Sequence, residues 1–132
     1  MNIASMFVLS AECQICSSHA IPASTGQPGA LHGHNFRIVA FVESAELDSR
    51  GFVLPPSGLR AALWEVVEPF DHRHLNDLDP FREGEQSNPP TPGVLARLVF
   101  GRLAPRVEDE RVALRRVEVW SRADQCVAWE RT

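Results

Sequence analysis

A predicted strand with two histidines on one face limits what this chain can fold into more than any other feature. His32-Gly33-His34 leads into residues 37–42, an apolar run rich in β-branched and aromatic side chains that is typical of a strand. Since positions i and i+2 of a strand share a face, the two imidazoles lie roughly 6 to 7 Å apart. Both could bind one Zn²⁺, and a third ligand would leave a position open for water or substrate. Alone, the pattern fits two exposed or hydrogen-bonded histidines equally well.

The composition indicates one small domain, residues 1–132, with 44% hydrophobic residues and a modest core. The formal net charge is -4 and basic residues do not cluster, so we expect no nucleic-acid or membrane partner. No apolar run would span a bilayer and no secretion signal is recognisable, so the expected location is cytoplasmic. Three cysteines, an odd number, indicate free thiols or metal ligands rather than disulfides.

Periodicity predicts the order of the elements. Alternating apolar positions from Phe7 to Cys13 predict a first strand that ends in a thiol, followed by a loop over 16–30. Further strands are predicted at 52–54, 111–121 and, less regularly, 126–129. One helix is predicted after Ser57, whose side chain can cap it, and a second over 93–103. The pattern predicts an α+β domain, with a four-stranded antiparallel sheet and two helices on one face.

Six segments of the chain stand in an order that is found in one known family. They are FVLSAEC at 7–13, LHGHNF at 31–36, GFV at 51–53, FDHRHLN at 70–76, NPPT at 88–91 and VEVW at 117–120. The chain resembles the 6-pyruvoyl-tetrahydropterin synthase and 6-carboxy-tetrahydropterin synthase family. The resemblance implies the tunnelling fold, in which the sheets of several subunits join into a barrel. It also implies a homotrimer or homohexamer, a small-molecule substrate, and an active site at a subunit boundary.

The resemblance implies a zinc site as well. The first zinc ligand of the family is a His that closes the motif F-x-F-x-A-x-H, and Cys13 stands at that place here. The implied metal ligands are therefore Cys13, His32 and His34, and a thiolate is a good Zn²⁺ ligand. Cys13 could instead be a buried free thiol. In that case Cys16 or His19, which ranks next after Cys13, would supply the third ligand.

The catalytic groups implied by the resemblance are only partly present. Asp71 and His72 match the family's Asp-His pair, and a carboxylate beside an imidazole suits a general base. His74 could exchange roles with His72. The family's catalytic loop Cys falls on Pro28, and the Glu that anchors the pterin ring falls on Ser121.

These departures favour a changed substrate. The first interpretation is a zinc-dependent lyase or cyclase that acts on an altered substrate by metal-assisted proton abstraction. The second is a working pterin synthase with repositioned groups. The third is a non-catalytic scaffold that kept the fold, which would have no reason to hold a metal with an open position.

Overall fold

The computed structural model describes residues 4–21, 29–82 and 88–132. These residues form an α+β fold with a five-stranded sheet and two helices, so the predicted class is confirmed and the predicted number of strands is corrected from four to five. In chain order the elements are β1 (Phe7–His19), β2 (His32–Ser44), α1 (Gly58–Val67), β3 (Arg73–His74), α2 (Pro92–Val107), β4 (Ala113–Arg122) and β5 (Gln125–Glu130). Short 3-10 turns occupy Glu68–Phe70, Leu75–Asp77 and Asp79–Phe81.

The sheet is mixed, with the strand order β3-β1-β2-β4-β5. The four long strands pair antiparallel, as predicted, but the two-residue β3 pairs parallel with β1 at Ser17 and Ser18. Residues 52–54, predicted as a strand, instead follow a turn. The Asp48 carboxylate accepts hydrogen bonds from the N–H groups of Arg50 and Phe52, each at 2.9 Å. These local bonds compete with strand pairing.

β1 is longer than the alternation of apolar residues predicted. It pairs with β2 over its full length, from Phe7 opposite Ser44 to His19 opposite His32. Polar Ser17 and His19 continue the buried face of the strand. The Ser17 hydroxyl can lie there because it donates a 2.7 Å hydrogen bond to the carbonyl of Phe70. The predicted strand end at Cys13 is therefore six residues too early.

Both helices cover the face of the sheet that carries these buried side chains. Thr91 caps α2 by accepting a hydrogen bond from the Val94 N–H, and Pro92 occupies the first turn. Ser57 precedes α1 in a left-handed conformation with φ 63° and makes no side-chain cap, so the capping prediction is wrong. The helix residues that form the core are Leu59, Leu63, Val66 and Val67 of α1 and Leu95, Ala96, Val99, Phe100, Leu103 and Val107 of α2.

The outer edge of β1 has a strand partner only where β3 lies, as far as the described part of the chain shows. An open edge of this length favours pairing with another chain. Assembly into a barrel stays a prediction, as does the cytoplasmic location. In the described residues, no helix has both the length and the apolar character needed to cross a membrane.

Candidate metal site

Three histidines converge where β1 ends and β2 begins. His19 and His32 lie directly opposite each other, and His34 lies opposite Ser17. Paired positions of neighbouring strands point to the same face, so all three imidazoles project from one side of the sheet. One nitrogen from each ring lies within 4.8 Å of the other two. His19 is buried, His34 is half-buried and His32 is exposed, so the cluster reaches from the core to the surface.

The hydrogen bonds of the rings show which nitrogens carry protons. His19 Nδ1 lies 2.8 Å from the Pro90 carbonyl oxygen, and His32 Nδ1 lies 3.0 Å from that of Ala30. A carbonyl oxygen only accepts, so each Nδ1 is the protonated nitrogen of its ring. In the neutral rings both Nε2 atoms are then acceptors, yet they face each other at 2.9 Å. A cation between the two nitrogens, either a metal ion or a proton, would satisfy both lone pairs.

Burial disfavours a proton on His19 and on His34. The pKa of His19 is lowered chiefly by burial, and the neighbouring imidazoles of His32 and His34 lower it further. The pKa of His34 is also lowered, again mainly by burial and then by His32. Neutral imidazole is the form that binds metals. Carbonyl groups that hold the Nδ1–H are the usual outer partners of metal-bound histidines, so the residues present fit Zn²⁺.

Cys13, which was predicted as a metal ligand, lies away from this cluster. It lies opposite Ile38 and six residues before His19, a separation of about 20 Å along a strand. Its side chain is 3% exposed in the core, and burial raises the pKa of the thiol, which disfavours the thiolate that a metal needs. The structure instead brings His19, the next-ranked alternative, to His32 and His34.

The predicted acid–base pair is held against the edge of β1. Asp71 Oδ1 accepts a 2.8 Å hydrogen bond from the Cys16 N–H, and the His72 N–H donates to the Cys16 carbonyl at 2.6 Å. Asp71 Oδ2 lies 3.7 Å from His72 Nε2, within ion-pair distance but beyond hydrogen-bond reach. His72 has φ 55°, a left-handed conformation that costs energy in a residue other than glycine. His74 has a different partner, because its Nδ1 lies 2.9 Å from the Ser18 hydroxyl.

Two further positions of the predicted site are Ser121 and Pro28, of which the structure describes only Ser121. Ser121 is half-buried in β4, and its backbone forms a hydrogen bond with His34 that partly offsets the lowering of that pKa. The predicted substrate-binding position thus lies beside the metal cluster. Pro28, at the place of the family's catalytic Cys, lies outside the described residues.

Sequence reasoning missed the residues that hold His19 in place. The Asn76 side chain accepts from the Ala20 N–H at 2.9 Å and donates to the Ala20 carbonyl at 2.8 Å, which fixes the chain immediately after His19. Pro90 supplies the carbonyl for the ring. Asn76 belongs to the FDHRHLN segment and Pro90 to the NPPT segment. Their place in two segments shared with the family was the sequence feature that could have identified them.

The sequence is similar to a known protein family over almost its whole length. The sequence model described as 6-pyruvoyl tetrahydropterin synthase matches residues 8–132, almost the whole chain. The chain belongs to this family. The resemblance inferred from the sequence is therefore confirmed.

Two curated relatives are named as 6-carboxy-tetrahydropterin synthases. The chain is 32% identical over 95 residues to the 6-carboxy-5,6,7,8-tetrahydropterin synthase of Bacillus subtilis, a match that covers 71% of this chain and 63% of that protein. It is 30% identical over 109 residues, 83% of each chain, to a putative 6-carboxy-5,6,7,8-tetrahydropterin synthase of Archaeoglobus fulgidus. The match therefore spans less than two thirds of the Bacillus protein.

Solved structures show the same fold. The 6-pyruvoyl tetrahydropterin synthase of Caenorhabditis elegans superimposes with a TM-score of 0.78 over 100% of both chains, at 16% identity. That of Plasmodium vivax superimposes with a TM-score of 0.75 over 96% of this chain and 98% of its own, also at 16% identity.

Proposed function

We propose that this chain is a zinc-dependent lyase or cyclase of the 6-pyruvoyl-tetrahydropterin synthase family that acts on a small molecule other than the usual pterin. The metal ligands are His19, His32 and His34. The single observation that carries the proposal is the convergence of three imidazoles, with one nitrogen of each ring within 4.8 Å of the other two. A scaffold without a metal would have no need of three imidazoles at ligand spacing.

The metal and the acid–base pair have separate tasks. A zinc ion held by these three imidazoles would supply a Lewis acid for polarising a carbonyl or hydroxyl oxygen of the substrate. His72, oriented by Asp71, removes a proton next to that oxygen. Proton removal of this kind underlies elimination, tautomerisation, aldol-type cleavage and ring closure.

The two groups do not share one face of the sheet in a single chain. The metal histidines lie on the helix-covered face, whereas His72 lines a cleft together with Cys16, whose side chain alternates to the other face. We propose that a homotrimer or homohexamer completes the site, with the acid–base pair of one copy near the metal of another. The open edge of β1 supports this arrangement.

Ser121 supports the proposal of an altered substrate. A carboxylate at this place could accept two hydrogen bonds from a pterin ring, but a hydroxyl cannot replace that paired acceptance. Each buried donor left unpaired costs about 1–3 kcal/mol. The second candidate, a working pterin synthase with repositioned groups, is favoured only by the names of the curated relatives.

Two incubations test the function. Zinc-loaded protein with dihydroneopterin triphosphate should form pyruvoyl or carboxy pterin only at background level, since the ring anchor is missing. The same protein in a mixture of small metabolites should convert at least one compound, as followed by mass spectrometry. That conversion should be lost in Asp71→Asn and His72→Ala, but retained in Asp79→Asn, a control at an exposed carboxylate with a side-chain exposure of 88%.

Efficient pterin turnover that His72→Ala abolishes would restore the ordinary pterin synthase. A zinc-loaded protein that converts no compound in either incubation would favour the scaffold.

A further inference from the structure

A cleft of about 290 Å³ lies along a side of α2 that does not form the core. Val94, Leu98 and Gly101 line it, and their helical spacing places them on one side of the helix. Pro80 and Asn88, which lie outside α2, line it as well. The cleft therefore has an apolar floor, and its volume suits a small ligand.

Two arginines flank this apolar stripe. Arg97 and Arg102 both line the cleft and both are exposed. Five residues of an α-helix turn through about 140° and rise roughly 7 to 8 Å, so the two side chains leave the helix on different sides of the stripe. No carboxylate is among the described residues that line the cleft. The cleft is therefore positively charged, although the chain as a whole has a formal charge of -4.

Each of the two guanidinium groups lies over an aromatic ring. Arg97 Cζ is 5.9 Å from the ring centroid of Trp129 in β5, and Arg102 Cζ is 5.5 Å from that of Phe70. A contact of this kind occupies one face of the guanidinium and leaves N–H groups at its edge for hydrogen bonds. Arg97 uses one of them in a long bond of 3.4 Å to the Asn88 side chain. The rings thus hold both donor groups in position for an anion.

Support of the fold alone is a weaker explanation for these residues. Arg106 of the same helix pairs with Glu65 and so links α2 to α1. Within residues 4–21, 29–82 and 88–132, neither Arg97 nor Arg102 forms an ion pair with a carboxylate. Gly101 is unfavourable inside a helix, yet a Cβ added there would contact no atom within 4 Å. Packing does not require this glycine, whereas an open cleft does.

We propose that this cleft binds a small organic dianion, with one anionic group at Arg97, the other at Arg102, and an apolar spacer over Leu98. Guanidinium groups bind carboxylates and phosphates through paired N–H donors. Two cations that are separated along a helix favour a ligand whose two anionic groups are also separated, as in a linear dicarboxylate. The metal histidines do not line this cleft, so binding needs no metal.

Isothermal titration calorimetry with linear dicarboxylates from succinate to suberate tests the site. Hexanoate, which has a similar chain but one carboxylate, is the control ligand. At least one dicarboxylate should bind with saturation and about tenfold or more tightly than hexanoate, because it makes a second charge-assisted hydrogen bond. Zinc-loaded and chelator-treated protein should give the same affinity. Absence of saturable binding, equal affinity for hexanoate, or loss of binding after chelation would overturn the proposal.

Substitutions in α2 locate the binding. Arg97→Gln and Arg102→Gln should each weaken it by about tenfold or more, whereas Arg106→Gln, the same change on the same helix, should not alter it. Gly101→Leu should abolish binding, because its side chain fills the cleft while both arginines remain. Leucine also suits a helix better than glycine, so this variant should keep its fold. Wild-type affinity in Gly101→Leu, or in both Arg97→Gln and Arg102→Gln, would overturn the proposal.

Discussion

His19→Ala should purify almost free of zinc, whereas Cys13→Ser should retain about one ion per chain. His19 supplies one of the three nitrogen atoms that converge, and it is the buried residue of the cluster. Loss of an outer hydrogen-bond partner alone weakens metal binding about 10–100-fold, so loss of a ligand should weaken it by more than about 100-fold. Elemental analysis gives the occupancy, and titration against a competing chelator gives the affinity.

Cys13→Ser is the matched control, because both residues lie on the same face of β1 and only one reaches the cluster. Zinc loss in Cys13→Ser with full occupancy in His19→Ala would reverse the ligand assignment. Since the Cys13 thiol is buried, circular dichroism of both variants must show the wild-type fold before the occupancies are compared.

Phe36→Ala should cause a large loss of stability. The side chain is completely buried in β2, and its ring centroid lies 5.6 Å from that of His19 and 5.3 Å from that of His34. Truncation of a buried Phe lowers the free energy of unfolding by about 3–5 kcal/mol, because it removes apolar contacts and leaves a cavity. Urea denaturation of chelator-treated protein measures this change without the contribution of a bound metal.

Leu31→Ala is the control for that measurement, because Leu31 has a relative exposure of 69% and should change stability by less than about 0.5 kcal/mol. Phe36→Ala should also weaken zinc binding, since the packing that positions two of the imidazoles is lost. Equal stability of the two variants would mean that Phe36 does not support the site in the way its burial indicates.

Local patterns predicted the part of the site that lies within one strand. His32 and His34 are separated by one residue and precede a clear strand, so their shared face follows from the two-residue period alone. The order of the long strands and helices was predictable for the same reason. The pattern of buried residues in α1 and α2 matches helical spacing.

His19 ranked below Cys13 because its environment depends on distant parts of the chain. The apolar alternation of β1 stops at Ser17, so the sequence pattern did not indicate that the strand continues to His19. Ser17 and His19 are tolerated on the buried face through carbonyl groups 53 and 71 residues away in sequence. The periodicity of side chains along one strand gives no information on contacts between residues so far apart in the sequence.

β3 was unpredictable for a related reason. It consists of two residues, and its pairing with β1 arises because the Asp71-His72 turn is bonded to Cys16. Conversely, residues 52–54 have strand-like side chains, but the Asp48 carboxylate binds nearby backbone N–H groups and forms a turn. In both places, side-chain hydrogen bonds to the backbone decided the structure where residue preferences did not.

An anomalous difference map from crystals of the zinc-loaded protein, recorded on both sides of the zinc absorption edge, tests the proposed metal site most directly. We expect one strong zinc peak per chain between His19, His32 and His34, bonded to the two Nε2 atoms that face each other. A peak beside Cys13, or no peak from protein prepared with ample zinc, would contradict the site and the metal-dependent function built on it.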